Sequence, residues 1–163
     1  MIFSRLFSII MRIAQWVFAA IVLGLTSYFT YRTTLGPRRH DDGPLGRLIF
    51  SIIWSSLSII FAFIWAIPTK SSMSGYVSDF VFTAGWAAVF GLLVDWFNGT
   101  GCGSAWAWRN GFSLRRSNMC GQWRTAQAFS FLSMITWFAT AIFGIIMVHR
   151  LQRRAAANTT SRV

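Results

Sequence analysis

The chain has 163 residues and a formal net charge of +11, with 55% of its residues hydrophobic, 12% charged and no glutamate. An ordinary soluble domain is about 45–50% apolar and about 25% charged, because a small protein leaves much surface that only charged groups keep solvated. The composition therefore excludes a soluble domain with one large core, and the mean hydropathy of +0.51 points to lipid as the solvent.

Four apolar runs follow one another: about 9–31, 48–67, 77–96 and 126–148. Each is about twenty residues long, which at 1.5 Å per residue crosses a hydrocarbon core of about 30 Å. Lipid offers no partner to backbone N–H and C=O groups, so runs of this length must be helical. The predicted fold class is all-α, an integral-membrane bundle of four transmembrane helices occupying residues 1–150. A basic tail, 151–163, is expected to be disordered. Arg5 and Arg12 stand ahead of an apolar stretch as they would in a signal peptide. The apolar stretch is long and no A-x-A site follows it, so it is expected to be a retained span.

Between the runs lie the helix breakers. Leu35-Gly36-Pro37-Arg38-Arg39-His40-Asp41-Asp42-Gly43-Pro44 is a polar turn-rich loop, and Pro68-Thr69-Lys70-Ser71-Ser72 is a tight link. The longest connection, Phe97 to Thr125, is rich in Gly, Trp and Arg and holds Cys102 and Cys120. Tyr31, Tyr76, Trp96 and Trp123 stand at run ends, where amphipathic rings suit the interface. Arginines beside the runs, with Arg150, Arg153 and Arg154 after the last, are placed for lipid headgroups. Nothing favours a nucleic-acid partner.

Each run carries a stripe of small residues, which in lipid lets helices approach closely. The stripes are Ala20, Gly24 and Ser27; Ser51, Ser55, Ser58 and Ala62; Ala84, Ala88 and Gly91; and Ser130, Ser133, Thr140 and Gly144, with Trp137 between them. All four are expected to pack inside the bundle.

Chemistry-bearing constellations are missing. Four aspartates and two histidines supply no acid/base pair, no cofactor site and no catalytic set. His40-Asp41-Asp42 is adjacent in a Gly/Pro loop and converges poorly on a metal ion. The glycines from Gly99 to Gly103 lack the lysine of a phosphate loop. Cys102 and Cys120 lack C-x-x-C spacing. Outside the cytosol they would form a disulfide, the favoured reading; inside it they would be thiols or palmitoylation sites.

Met11-Arg12-Ile13-Ala14-Gln15-Trp16, running into an apolar stretch that ends near Gly24, resembles the opening of MARVEL-domain proteins, particularly the fungal ones. Asp79-Phe80-Val81-Phe82 is similar to an aspartate-plus-aromatic element of that family's third span. Cys102 and Cys120 ahead of Arg124-Thr125-Ala126-Gln127-Ala128-Phe129 resemble its cysteine-bearing loop and fourth span. The resemblance implies a four-helix fold with both termini cytosolic, in the plasma membrane or a secretory-pathway membrane. It implies a non-enzymatic role in membrane organisation, membrane apposition or vesicle trafficking. Partners would be membrane lipids and other membrane proteins or further copies of the chain. The Trp- and Arg-rich third loop departs from the family pattern. A small transporter or channel subunit is the alternative. Basic residues divide almost evenly between the two sides, so charge does not choose the orientation. With a cytosolic N-terminus the first and third spans both run outward, which puts Arg12 and Asp79 at similar depth. They are expected to form a structural ion pair, with Gln15 one turn above as a further donor.

Overall fold

A computed structural model describes residues 2–35, 45–66, 75–99 and 119–160, and these form four α-helices. They are α1 (Ile2–Thr34), α2 (Leu45–Ala66), α3 (Gly75–Gly99) and α4 (Met119–Thr160). Each contains a stretch long and apolar enough to cross a bilayer: Ser8–Thr34, Leu45–Trp65, Tyr76–Asp95 and Cys120–Arg150. Their limits follow the breakers. Leu45 comes directly after Pro44, and α2 stops at Ala66, just short of the residue before Pro68.

The helices form a closed ring in which α1 packs on α2 and α4, α3 packs extensively on α4, and α2 touches α3 more lightly. Ring contacts place neighbours antiparallel: Phe29 late in α1 meets Trp123 early in α4 at 4.9 Å. Fully buried Trp86, Trp137, Phe29, Leu48, Leu93, Val22 and Val89 fill the centre. Buried Ser and Thr hydroxyls close onto their own helix, as when Ser55 Oγ donates to the Ser51 carbonyl at 2.7 Å. That local bond satisfies a hydroxyl where no water is available.

Three expectations give way to the structure. First, only the stripes of α2 and α4 turn inward. Ala20, Gly24 and Ser27 of α1 and Ala84, Ala88 and Gly91 of α3 lie on the outer surface. The inner faces of those helices are taken by Gln15 and Thr26, and by Asp79, Phe82 and Trp86. Polar groups cannot be satisfied by lipid, so they claim the interior and turn the small residues outward. Second, the loop expected over 97–125 is shorter at both ends, since α3 runs to Gly99 and α4 starts at Met119. Trp123 is consequently a core residue, 8% exposed, and its indole donates to the Leu93 carbonyl at 3.0 Å. Third, helix continues through Thr160 where a disordered tail was expected. The run Leu151-Gln152-Arg153-Arg154-Ala155-Ala156-Ala157 consists of good helix formers extending a helix the span has already nucleated.

Candidate functional site

Ionisable and amide side chains gather at the end of the bundle where α1 and α3 begin and α2 and the span of α4 finish. Arg12 and Asp79 each lie about one turn into their spans, in α1 and α3. These two helices face each other across the ring. Long side chains therefore bridge them where the backbones do not pack. Arg12 Nη2 lies 3.2 Å from Asp79 Oδ2 and also 3.2 Å from Oδ1, so one guanidinium nitrogen donates to both oxygens. Nη1 donates to Asp79 Oδ1 at 3.2 Å and to Gln15 Oε1 at 2.9 Å. The side chains of Arg12 and Asp79 are 15% and 4% exposed, so the pair is largely withdrawn from solvent.

Gln15 joins this pair to α4. Its oxygen accepts from Arg12, while its amide nitrogen donates to Thr140 Oγ1 at 3.1 Å and to the Thr136 carbonyl at 3.3 Å. Its role is thus an acceptor toward the ion pair and a donor toward α4, rather than a further donor to the pair alone. Two indoles complete the surround, Trp137 with its ring centre 5.4 Å from the guanidinium carbon and Trp65 at 5.6 Å. A cation over an aromatic face is attracted by the ring quadrupole, most strongly where water is excluded. All four helices thus contribute to one cluster around a single arginine.

At the opposite end of the bundle Arg47 and Asp95 approach to 2.7 Å, at 37% and 70% exposure. This pairing was not foreseen from the sequence. The signal was present, since the second span starts where the third finishes. Trp65, Trp137, Thr136 and Thr140 were likewise missed as partners of Arg12 and Gln15. Gly85 was missed too: a Cβ there would overlap the Trp54 indole, so α3 needs glycine for that ring to seat.

Cys102 lies outside the described residues, and Cys120 is the second residue of α4. Arg150 and Arg153 are exposed at and beyond the end of the last span, and the side chain of Arg154 lies outside the described residues. The His40-Asp41-Asp42 segment also lies outside them. Among the described residues no group of three His, Cys, Asp or Glu could hold a metal ion. The carboxylate of Asp79 is engaged by Arg12 on both oxygens, and among the described residues no second acid is bonded to it. The cluster links side chains of all four helices.

A family model described as MARVEL, membrane-associating domain, matches residues 3–143, which include all four spans up to the last turns of the fourth and every residue of the Arg12 cluster. No curated protein matches the chain.

Proposed function

The chain belongs to the MARVEL family of membrane-associating domains, and from that premise we propose that it organises membranes by lateral association. It works in membrane organisation, apposition or vesicle trafficking, in the plasma membrane or a secretory-pathway membrane, with both termini cytosolic. It acts without catalysis, by packing against lipids and against other membrane proteins or further copies of itself. The family match over 3–143 carries this reading. Two features of the surface support it. Small residues of α1 and α3 stand on the outer face, where a partner helix could approach closely. Arg150 and Arg153 stand exposed at and beyond the end of the last span, a position that suits contact with lipid phosphates, and Arg154 extends the basic run in the sequence. The alternative, a small transporter or channel subunit, draws no support from a centre filled by Trp86, Trp137, Leu48 and Leu93.

Gly24 and Gly91 provide the test, because a Cβ at either meets nothing within 4 Å inside the monomer. Gly24→Leu and Gly91→Leu together should leave thermal stability unchanged while lowering, several-fold, capture of partner proteins or of a tagged second copy in mild detergent. Unchanged capture would remove the lateral-association reading. Flux of a solute into reconstituted vesicles, abolished by Asp79→Leu, would replace it with transport.

A further inference from the structure

Buried hydroxyls in this bundle follow a rule, and one of them departs from it. Thr26, Ser51, Ser55, Ser58, Thr125 and Ser130 are all buried, and each donates to a carbonyl three or four residues back. Ser133 of α4 is fully buried, yet its Oγ has no hydrogen-bond partner among the described residues. One turn further on, the fully buried Trp137 has an unpartnered Nε1. Residues four apart lie one above the other on a helix face, so the two side chains rise from the same face of α4. Trp137 is also fixed in place, stacked on Phe82 at 4.5 Å and lying under the Arg12 guanidinium.

An indole N–H can only donate, whereas a hydroxyl both donates and accepts. Lipid cannot satisfy either group at this depth, close to the middle of the span Cys120–Arg150. We infer that one buried water molecule bridges Trp137 Nε1 and Ser133 Oγ. It accepts from the indole and exchanges a hydrogen bond with the hydroxyl. Buried waters occur where several polar groups converge without partners of their own. Trp54 Nε1 also lacks a partner, but no second unpartnered group stands a turn away from it among the described residues. The water carries the polar network of Arg12, Asp79, Gln15 and Thr140 inward along α4 toward mid-membrane. The inference goes beyond the functional reading, and its test reads hydration, so either can fail without the other.

The full chain with nitrogen-15-labelled tryptophan, in lipid nanodiscs, supplies the experiment. The Trp137 indole resonance is assigned by its loss in Trp137→Phe. It should show a cross-peak at the water frequency, and Ser133→Ala should abolish that cross-peak without moving the other indole resonances. Trp86 is the internal control, since it is equally buried and its Nε1 bonds Ser58 Oγ directly at 3.1 Å; its indole should show no water cross-peak. Absence of the cross-peak at Trp137 in the wild-type chain would overturn the inference. So would its persistence in Ser133→Ala, which would take Ser133 out of the bridge.

Discussion

Removing Arg12 or Asp79 alone leaves the other charge in a site that excludes water, at a cost of about 3–5 kcal/mol in comparable buried pairs. Removing both leaves no charge to solvate. The pair therefore matters more for what its breaking costs than for any net gain over an apolar replacement. Arg12→Leu and Asp79→Leu should each lower thermal stability in detergent, and the double variant should recover part of the loss. Strictly additive losses would mean the two side chains act independently, despite their 3.2 Å approach. Arg12 also holds Gln15, so Arg12→Leu should cost more than Asp79→Leu. Gly85 is the other residue on which the bundle turns, because its missing Cβ is where the Trp54 indole lies. Gly85→Leu should destabilise by about 1–3 kcal/mol, the usual range for overpacking, whereas Gly91→Leu on the open face should not. Equal melting temperatures for the two would show that Trp54 can move aside. The depth match of Arg12 and Asp79 was legible in the sequence, since the first and third spans run in the same direction. Gly85 was not, because Trp54, the residue that demands it, lies on another helix.

At the scale of the helices, the apolar pattern fixes where the spans are and says little about which way they face. A soluble helix separates apolar from polar around its circumference, but in lipid both the inner and outer faces are apolar. The small-residue stripes of α1 and α3 look on paper like those of α2 and α4, yet they point the other way. Buried polar residues are the better guide: Gln15, Thr26, Asp79, Gln122, Thr125, Gln127, Ser130 and Ser133 all face inward. Reading α3 from Asp79 in steps of three and four gives Phe82, Trp86, Val89 and Leu93, which is its buried face. The same logic explains the start of α4. Trp123 Nε1 and Gln127 Nε2 both donate to the Leu93 carbonyl, each at 3.0 Å, which ties the first turns of α4 to the end of α3. Trp123→Phe keeps an aromatic ring against Phe29 and removes one of these bonds. It should lower stability by about 0.5–1.5 kcal/mol, the net worth of a typical hydrogen bond. Asp95→Asn at the same end should cost less, because the Arg47 pair is exposed and such pairs contribute about 0–1 kcal/mol. Thermal unfolding of both variants in one detergent decides the order.

For the whole molecule, glycosylation tests which side of the membrane each end faces, and the cysteines test how the third connection is closed. Four spans put the start of α1 and the end of α4 on one side and the end of α3 on the other. Asn98-Gly99-Thr100 and Asn158-Thr159-Thr160 are glycosylation sequons, and four spans should put them on opposite sides of the bilayer. Asn98 lies at the end of α3, close to the bilayer, so a missing glycan there says nothing. Asn158 lies about 12 Å along α4 from Arg150 and is the informative probe. With a cytosolic C-terminus it should carry no glycan, and a glycan on the native tail would invert the topology. That orientation puts Cys102 and Cys120 outside the cytosol, where thiols oxidise. Cys102 follows the end of α3 by three residues, and Cys120 lies one turn before Trp123, which is bonded to Leu93 of α3. Among the described residues, that bond ties the start of α4 to the end of α3. A bridge between them would close that connection and, on chain-entropy reasoning, stabilise the fold by about 3 kcal/mol. Mass spectrometry of unreduced protein should find the Cys102 and Cys120 peptides linked. Cys102→Ser and Cys120→Ser should lower the melting temperature equally, and the double variant should lose no more than either alone. Ready alkylation of both thiols in intact, unreduced membranes would exclude the bridge, and with an unglycosylated Asn158 it would leave the topology standing.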